Sequence, residues 1–226
     1  MELVFVRHGQ PRWSVDGIAQ PDPALTDVGR RQAELVARRL AEERPIAEIL
    51  VSPAIRAIET AAPLVELTGA APTLVDDLAE IQMPDWTGQP DETVQRIFVD
   101  ARDRPPSQWW EGIPGGESFD DFHRRITTTL DRLLADRGVV GDPDHPHLWR
   151  AGPDPGRIVV VAHAGTNAVS LGHLLGAEPT PWEWDRFIMY HASLARIRTI
   201  PLAGEHVFSL RTLNDREHLP RVLRTR

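Results

Sequence analysis

Apolar residues follow two alternating patterns along the chain. Short runs rich in β-branched and aromatic residues lie at Leu3 to Val6, Ile46 to Val51, Thr73 to Val75 and Ile158 to Val161. Runs of that length and composition predict strands. Between them, apolar positions recur three and four residues apart, as amphipathic helices require. Thr26 and Asp27 read as a helix start, with Val28, Gln32, Ala33, Val36, Ala37 and Leu40 marking the helix to about Glu43. Ser52-Pro53 has the cap-then-proline order of a second helix, running to about Thr68. Ser118 with Asp121 opens a third, from Phe119 to Leu134, ended by Gly138. A fourth spans about Thr166 to Leu175 and closes at Gly176.

The remaining stretches are less regular. Gln82 to Glu117 carries Pro84, Pro90, Pro105, Pro106 and Pro114 and one short helix near Asp91 to Arg102. It reads as an excursion over one face. Residues 139–156 are rich in Pro, Asp and Gly and read as an exposed loop. Leu194 to Ile200 and His206 to Leu213 alternate in polarity around Pro201 to Glu205, which predicts an antiparallel pair at a sheet edge. Strands alternating with helices imply an α/β fold with a mostly parallel central sheet. Residues 1–226 read as a single domain.

At 226 residues the chain can bury one core without staples. Cysteine is absent, which excludes disulfides, Cys-ligated metals and cysteine nucleophiles. Lysine is absent too: all 25 Lys+Arg positions are Arg. Schiff-base chemistry and the P-loop lysine are therefore excluded. The formal net charge of −8 argues against a general nucleic-acid binder. The first residues, MELVFVRHGQ, lack a basic leader, and no stretch approaches the ~20 apolar residues of a membrane span. The expectation is a cytoplasmic protein without membrane attachment. A homo-oligomer is left open.

Two of the strand runs end alike. Phe5-Val6-Arg7-His8-Gly9 and Val160-Val161-Ala162-His163-Ala164-Gly165 each pass from apolar residues to a His and then a Gly. Ligands of open α/β sheets bind at the carboxyl ends of strands, so both histidines should face one crevice. Arg7 supplies a permanently charged donor fork, and Arg56 lies near the positive start of the second helix. A lone strand-end His is more often structural, and a first-turn Arg is usually solvated. Four such residues at element ends that the sheet brings together point instead to an oxyanion or phosphate pocket. No metal site is expected: His145 and His147 form an H-x-H pair without an apparent third ligand.

These residues resemble the histidine phosphatase superfamily, in its phosphoglycerate-mutase-like branch. VRHGQ at Val6 to Gln10 is similar to the family's opening signature. LTDVGRRQA from Leu25, SPAIRAIETA from Ser52, the segment Asp77 to Glu80, GGES from Gly115 and VVAHAGTN from Val160 resemble its later blocks, in family order. The resemblance implies a three-layer sandwich, with helices on both faces of the sheet. It implies that His8 is the nucleophile and becomes a phosphohistidine. Arg7, Arg56 and His163 would hold the phosphoryl oxygens, and Glu80 would serve as acid and then base. Gln10 and Gly165 are further phosphate-binding candidates, although Gln10 equally well only shapes its loop. Asp77 and Asp85 rival Glu80 for proton transfer, with Asp76 behind them. Trp109 and Trp110 either line a leaving-group pocket or pack beneath the excursion.

The implied function is metal- and cofactor-independent hydrolysis of a small-molecule phosphate monoester. Two alternatives stand beside it. One is a phosphoglycerate mutase, but mutases of the family carry a Glu-Arg-His-Tyr-Gly type stretch where this chain has Glu80-Ile81-Gln82. The other is a non-catalytic binding module, against which the full set of Arg7, His8, Arg56, Glu80 and His163 argues.

Overall fold

A computed structural model describes every residue except Pro146. The chain forms, in order, β1 (Glu2–Arg7), a small ribbon of β2 (Ser14–Val15) and β3 (Ile18–Ala19), α1 (Asp27–Glu43), β4 (Glu48–Val51), α2 (Ile55–Thr68) and β5 (Pro72–Leu74). There follow α3 (Asp91–Arg102), α4 (Phe119–Ala135), β6 (Val139–Gly141), β7 (Trp149–Ala151), β8 (Arg157–Ala162), α5 (Ala164–Leu174), β9 (Leu194–Leu202) and β10 (Glu205–Asp215).

Eight strands make one sheet in the order β5-β4-β8-β1-β9-β10-β7-β6. The first four pair in parallel, and each later neighbour pairs antiparallel. β10 and β6 thereby regain the direction of β1, so only β9 and β7 run against the rest. The period-2 alternation of the inner strands splits the core into two layers. Leu3, Phe5, Leu50, Ile158 and Val160 pack with Leu130 and Leu134 of α4 and Leu171 of α5. Val4, Val6, Ile49, Val51, Val159 and Val161 pack on the other face with α1 and α2. Both faces are buried, which is why these strands read as continuous apolar runs. The three-layer α/β sandwich is the observed architecture.

Register decides where the chemistry sits. Arg7 lies opposite Ala162, and Val51 opposite Val161. His8, Ser52 and His163 therefore leave the sheet at one level of one edge.

The structure corrects several expectations. Residues 139–156 are not all loop, because β6 and β7 extend the sheet there. Val139 and Trp149 anchor them, Trp149 edge-on to Phe208 at 5.1 Å, and two buried residues so far apart in a polar stretch leave no periodicity to read. That hairpin also moves β9 and β10 inward from the expected edge. Ser52 does not cap α2. The helix starts at Ile55, whose N–H donates to both Asp22 carboxylate oxygens at 3.1 and 3.2 Å. Thr26 and Ser118 do cap α1 and α4, accepting from Gly29 and Asp121. The excursion rests on a third cluster that includes Ile81, Ala101, Ile113, Phe122 and Val169. Among the described residues, no helix is long and apolar enough to cross a membrane.

Candidate active site

His8 is the first residue beyond β1. Its side chain is only 3% exposed, and its backbone N–H donates to the Ala162 carbonyl at 3.0 Å. His8 Nδ1 lies 2.8 Å from the Gly9 carbonyl, which can only accept, so Nδ1 carries the proton and Nε2 keeps its lone pair. Burial, followed by the neighbouring His163, Arg7 and Arg56, holds the ring's pKa well below the usual histidine range. A neutral imidazole with Nε2 bare is a competent nucleophile. The loop behind it is fixed by close backbone packing: a Cβ on Gly9 would sit 2.6 Å from the Gly29 carbonyl oxygen. Gly9 N–H also donates to Thr60 Oγ1 at 2.9 Å.

Arg7 and Arg56 line this end of the cavity, and His163 stands beside His8 without lining it. Arg7 gives Nη1 to the Met189 carbonyl at 2.7 Å and Nη2 to His191 Nε2 at 3.3 Å. Burial lowers its pKa to about 10, opposed by Glu80 and aided by Arg56, so it stays charged at neutral pH. Arg56, in the first turn of α2, pairs with Asp22 at 3.1 Å and lies 5.1 Å from the Trp13 ring. His163 is fully buried at the N-cap of α5, its ring 5.2 Å from that of His8. Its Nε2 meets Ser52 Oγ at 2.7 Å. When that hydroxyl donates, Nδ1 is left as the ring N–H. Burial, then Arg56 and Arg7, keeps this ring neutral as well.

Arg7 Nε, Arg56 Nε and His163 Nδ1 are buried without a hydrogen-bond partner. An unsatisfied buried donor costs about 1–3 kcal/mol, more when charged. Arg7 and Arg56 line the cavity, where the oxygens of a bound anion would be partners for donors of this kind.

Glu80 lines the same cavity. Its carboxylate accepts from Gly165 N–H at 2.9 Å, Thr166 N–H at 3.2 Å and Ile81 N–H at 3.1 Å. Its backbone is clamped from α4. Arg125 donates to the Asp77, Ala79 and Glu80 carbonyls and to Glu117, and Glu117 accepts from Gln82 N–H. The rival acids are elsewhere. Asp77 pairs with Arg132 at 3.3 Å, Asp85 accepts from Thr87 N–H at 2.9 Å, and Asp76, like these two, is exposed and does not line the cavity.

Two phosphate-binding candidates take other partners. Gln10 Oε1 accepts from Thr26 Oγ1 at 2.8 Å, joining the cap of α1, and the residue does not line the cavity. Gly165 spends its N–H on Glu80. A Cβ there would collide with the Glu80 carboxylate and lie 2.9 Å from Trp184 Cε3. Trp109 donates to the Arg104 carbonyl and packs beneath the excursion, and neither it nor Trp110 lines the cavity. Among the described residues, no group of three His, Asp or Glu side chains could hold a metal ion.

Sequence reasoning missed Ser52, Trp13 and His191. Ser52 carried a signal, but one equally suited to a helix cap. Trp13 lies in a loop without periodicity. His191 gave no local cue, since its partners Arg7 and Thr225 are distant in sequence.

The family profile described as histidine phosphatase superfamily (branch 1) matches residues 3–215. Phosphoglycerate mutase-like protein 4 of Arabidopsis thaliana is 35% identical over 169 residues, covering 73% of this chain and 66% of that protein. Bifunctional protein Rv2228c of Mycobacterium tuberculosis is 33% identical over 141 residues, 58% of this chain but 37% of its own length. The chain thus spans less than two thirds of these relatives. Glucosyl-3-phosphoglycerate phosphatase of M. tuberculosis is 31% identical over 191 residues, 80% of this chain and 78% of that one. The native structure of the mycobacterial glucosyl-3-phosphoglycerate phosphatase superposes with a TM-score of 0.70 at 27% identity, covering 94% of this chain and 98% of that one. With the profile spanning nearly the whole sheet, the chain belongs to the histidine phosphatase superfamily, branch 1.

Proposed function

We propose that this protein is a phosphomonoesterase that hydrolyses a small phosphorylated metabolite through a phosphohistidine at His8, without metal or cofactor. The observation that carries the reading is the trio of unpartnered buried donors, Arg7 Nε, Arg56 Nε and His163 Nδ1, beside a histidine whose Nε2 lone pair is bare. His8 Nε2 attacks phosphorus, the P–O bond to the alcohol breaks, and Glu80 gives the leaving oxygen its proton. Water then attacks the phosphohistidine, Glu80 takes the water's proton, and inorganic phosphate leaves. Phosphoryl transfer demands mainly alignment and charge stabilisation at the equatorial oxygens, which two arginines and a histidine N–H supply.

A mutase needs cations for its substrate's carboxylate, and Arg96, Arg102 and Arg104 of the excursion do not line the cavity. The mycobacterial relatives are named for glucosyl-3-phosphoglycerate; for this chain the reading is a phosphate monoester. We extend the same reading to a cytoplasmic location. The test is phosphate release from a panel of phosphate monoesters after dialysis against a chelator. Turnover should persist. Activity restored only by a divalent ion would defeat the metal-free mechanism.

A further inference from the structure

The cavity around His8 is far larger than a phosphoryl group needs. Its volume of about 1160 Å³ lies beyond the roughly 300–1,000 Å³ usual for pockets that enclose a whole small molecule. Arg7 and Arg56 occupy the phosphoryl end. The excursion builds a different kind of wall. Trp86 and Phe98 meet edge to face, with ring centroids 5.4 Å apart and planes at 75°, and both line the cavity while only partly buried. Val94, one turn before Phe98 on α3, continues that wall. A ring entering such a corner can stack on one aromatic and meet the other edge-on.

The charges near this wall are of the wrong sign for an acid. Asp91 and Asp185 line the cavity there. Arg102 is committed to Asp185 at 2.8 and 3.2 Å, and Arg104 to the Gly112 carbonyl. The remaining lining cation, Arg226, stands over the Tyr190 ring on a different segment, 5.7 Å from its centroid. Among the excursion residues that line the cavity there is no arginine to receive a carboxylate, and Arg102 of the same excursion is already paired with Asp185.

Resting on the phosphatase reading, we propose that the corner of Trp86 and Phe98 is the leaving-group subsite, and that it takes phosphate monoesters of uncharged alcohols bearing an aromatic ring. Continuity with the phosphoryl end fixes the occupant: the part of the ester that remains once phosphate is bound must extend into this space.

The experiment compares 2-phenylethyl phosphate, glycerol 3-phosphate and 3-phosphoglycerate, three alkyl esters whose leaving oxygens are similarly basic. Burial of one ring predicts a kcat/KM for the phenylethyl ester about 10- to 100-fold above glycerol 3-phosphate, with 3-phosphoglycerate lower still. Trp86→Ala and Phe98→Leu should each cut the phenylethyl value about 10-fold, through KM, and leave glycerol 3-phosphate nearly unchanged. Calorimetry with 2-phenylethylphosphonate and methylphosphonate reads the subsite in the wild-type protein without turnover, and the phenylethyl compound should bind more tightly. Phosphate release that favours 3-phosphoglycerate or glycerol 3-phosphate would overturn the inference and leave the phosphatase reading intact, as would equal losses on all three esters in the variants. Tighter phosphonate binding with no turnover of any ester would sink the phosphatase reading alone.

Discussion

Arg7 and His191 meet donor to acceptor at 3.3 Å, and the arginine dictates the state of the histidine. A guanidinium has no lone pair to offer, so His191 Nε2 must be bare and Nδ1 must carry the proton. Nδ1 then donates to Thr225 Oγ1 at 2.8 Å. Gln32, fully buried, donates to the same hydroxyl at 2.9 Å and accepts from Gln10 N–H at 2.8 Å. The loop behind His8 and the segment around Thr225 are thus tied together, with Arg7 held at one end. His191→Leu should lower kcat/KM roughly 10-fold, the scale of a lost hydrogen bond to a charged group. Thr225→Val should lower it less, and Thr225→Ser should stay close to wild type. Steady-state kinetics on the three variants checks the order.

Buried neutral histidines make stability depend on pH. Burial pushes His191 down to about 3 and His218 to about 4, and holds His8 and His163 well below the ordinary 6.5. Below about 6.5 the unfolded chain takes up protons that the folded chain refuses. Stability is therefore fully present above pH 6.5 and falls as the pH drops towards 4, and further towards 3 for His191. Each such histidine contributes a slope of up to about 1.4 kcal/mol per pH unit. Urea unfolding at pH 7.5, 6 and 5 should show that decline, and His191→Leu should make it shallower. A profile flat from 7.5 to 5 would contradict the burial of these rings.

Gly165 is a space requirement for Glu80. Gly165→Ala would drive a methyl into the carboxylate and against Trp184, yet an alanine in the first turn of α5 favours the helix. The expected outcome is a lower kcat with Tm nearly unchanged and inhibition by inorganic phosphate preserved. Weakened phosphate inhibition instead would return Gly165 to the phosphate site.

Glu80→Gln should slow turnover of alkyl esters by about 10²–10⁴-fold, the usual scale of a lost general acid. The defect should shrink for aryl phosphates, whose leaving groups need little protonation. Asp85→Asn and Asp77→Asn should be near normal, since both carboxylates lie outside the cavity. The measurement is a leaving-group series on all three variants.

How much of this was legible in the sequence follows from how local each signal is. The runs ending at Arg7 and Ala162 are buried on both faces, so they stand out as unbroken apolar stretches, and the residue after each is the site. The caps Thr26 and Ser118 act within three residues and were equally plain. Ser52 was ambiguous because its partner His163 is 111 residues away, and only the strand register joins them. Glu117 and Arg125 carried no site signal in the sequence, because their work is to clamp the Glu80 segment from a distance. Gln10 and Gly165 sit beside the two histidines in sequence, but backbone direction turns one toward Thr26 and the other toward Glu80.

The central claim is a short-lived phosphoryl group on His8, and rapid-quench labelling with a ³²P-phosphorylated substrate tests it most directly. The account predicts acid-labile label on the peptide bearing His8, none in His8→Ala, and loss of that label to water faster than or as fast as turnover. Full turnover by His8→Ala would contradict it, as would a long-lived phosphoenzyme that passes its phosphoryl group to phosphoglycerate but hardly to water.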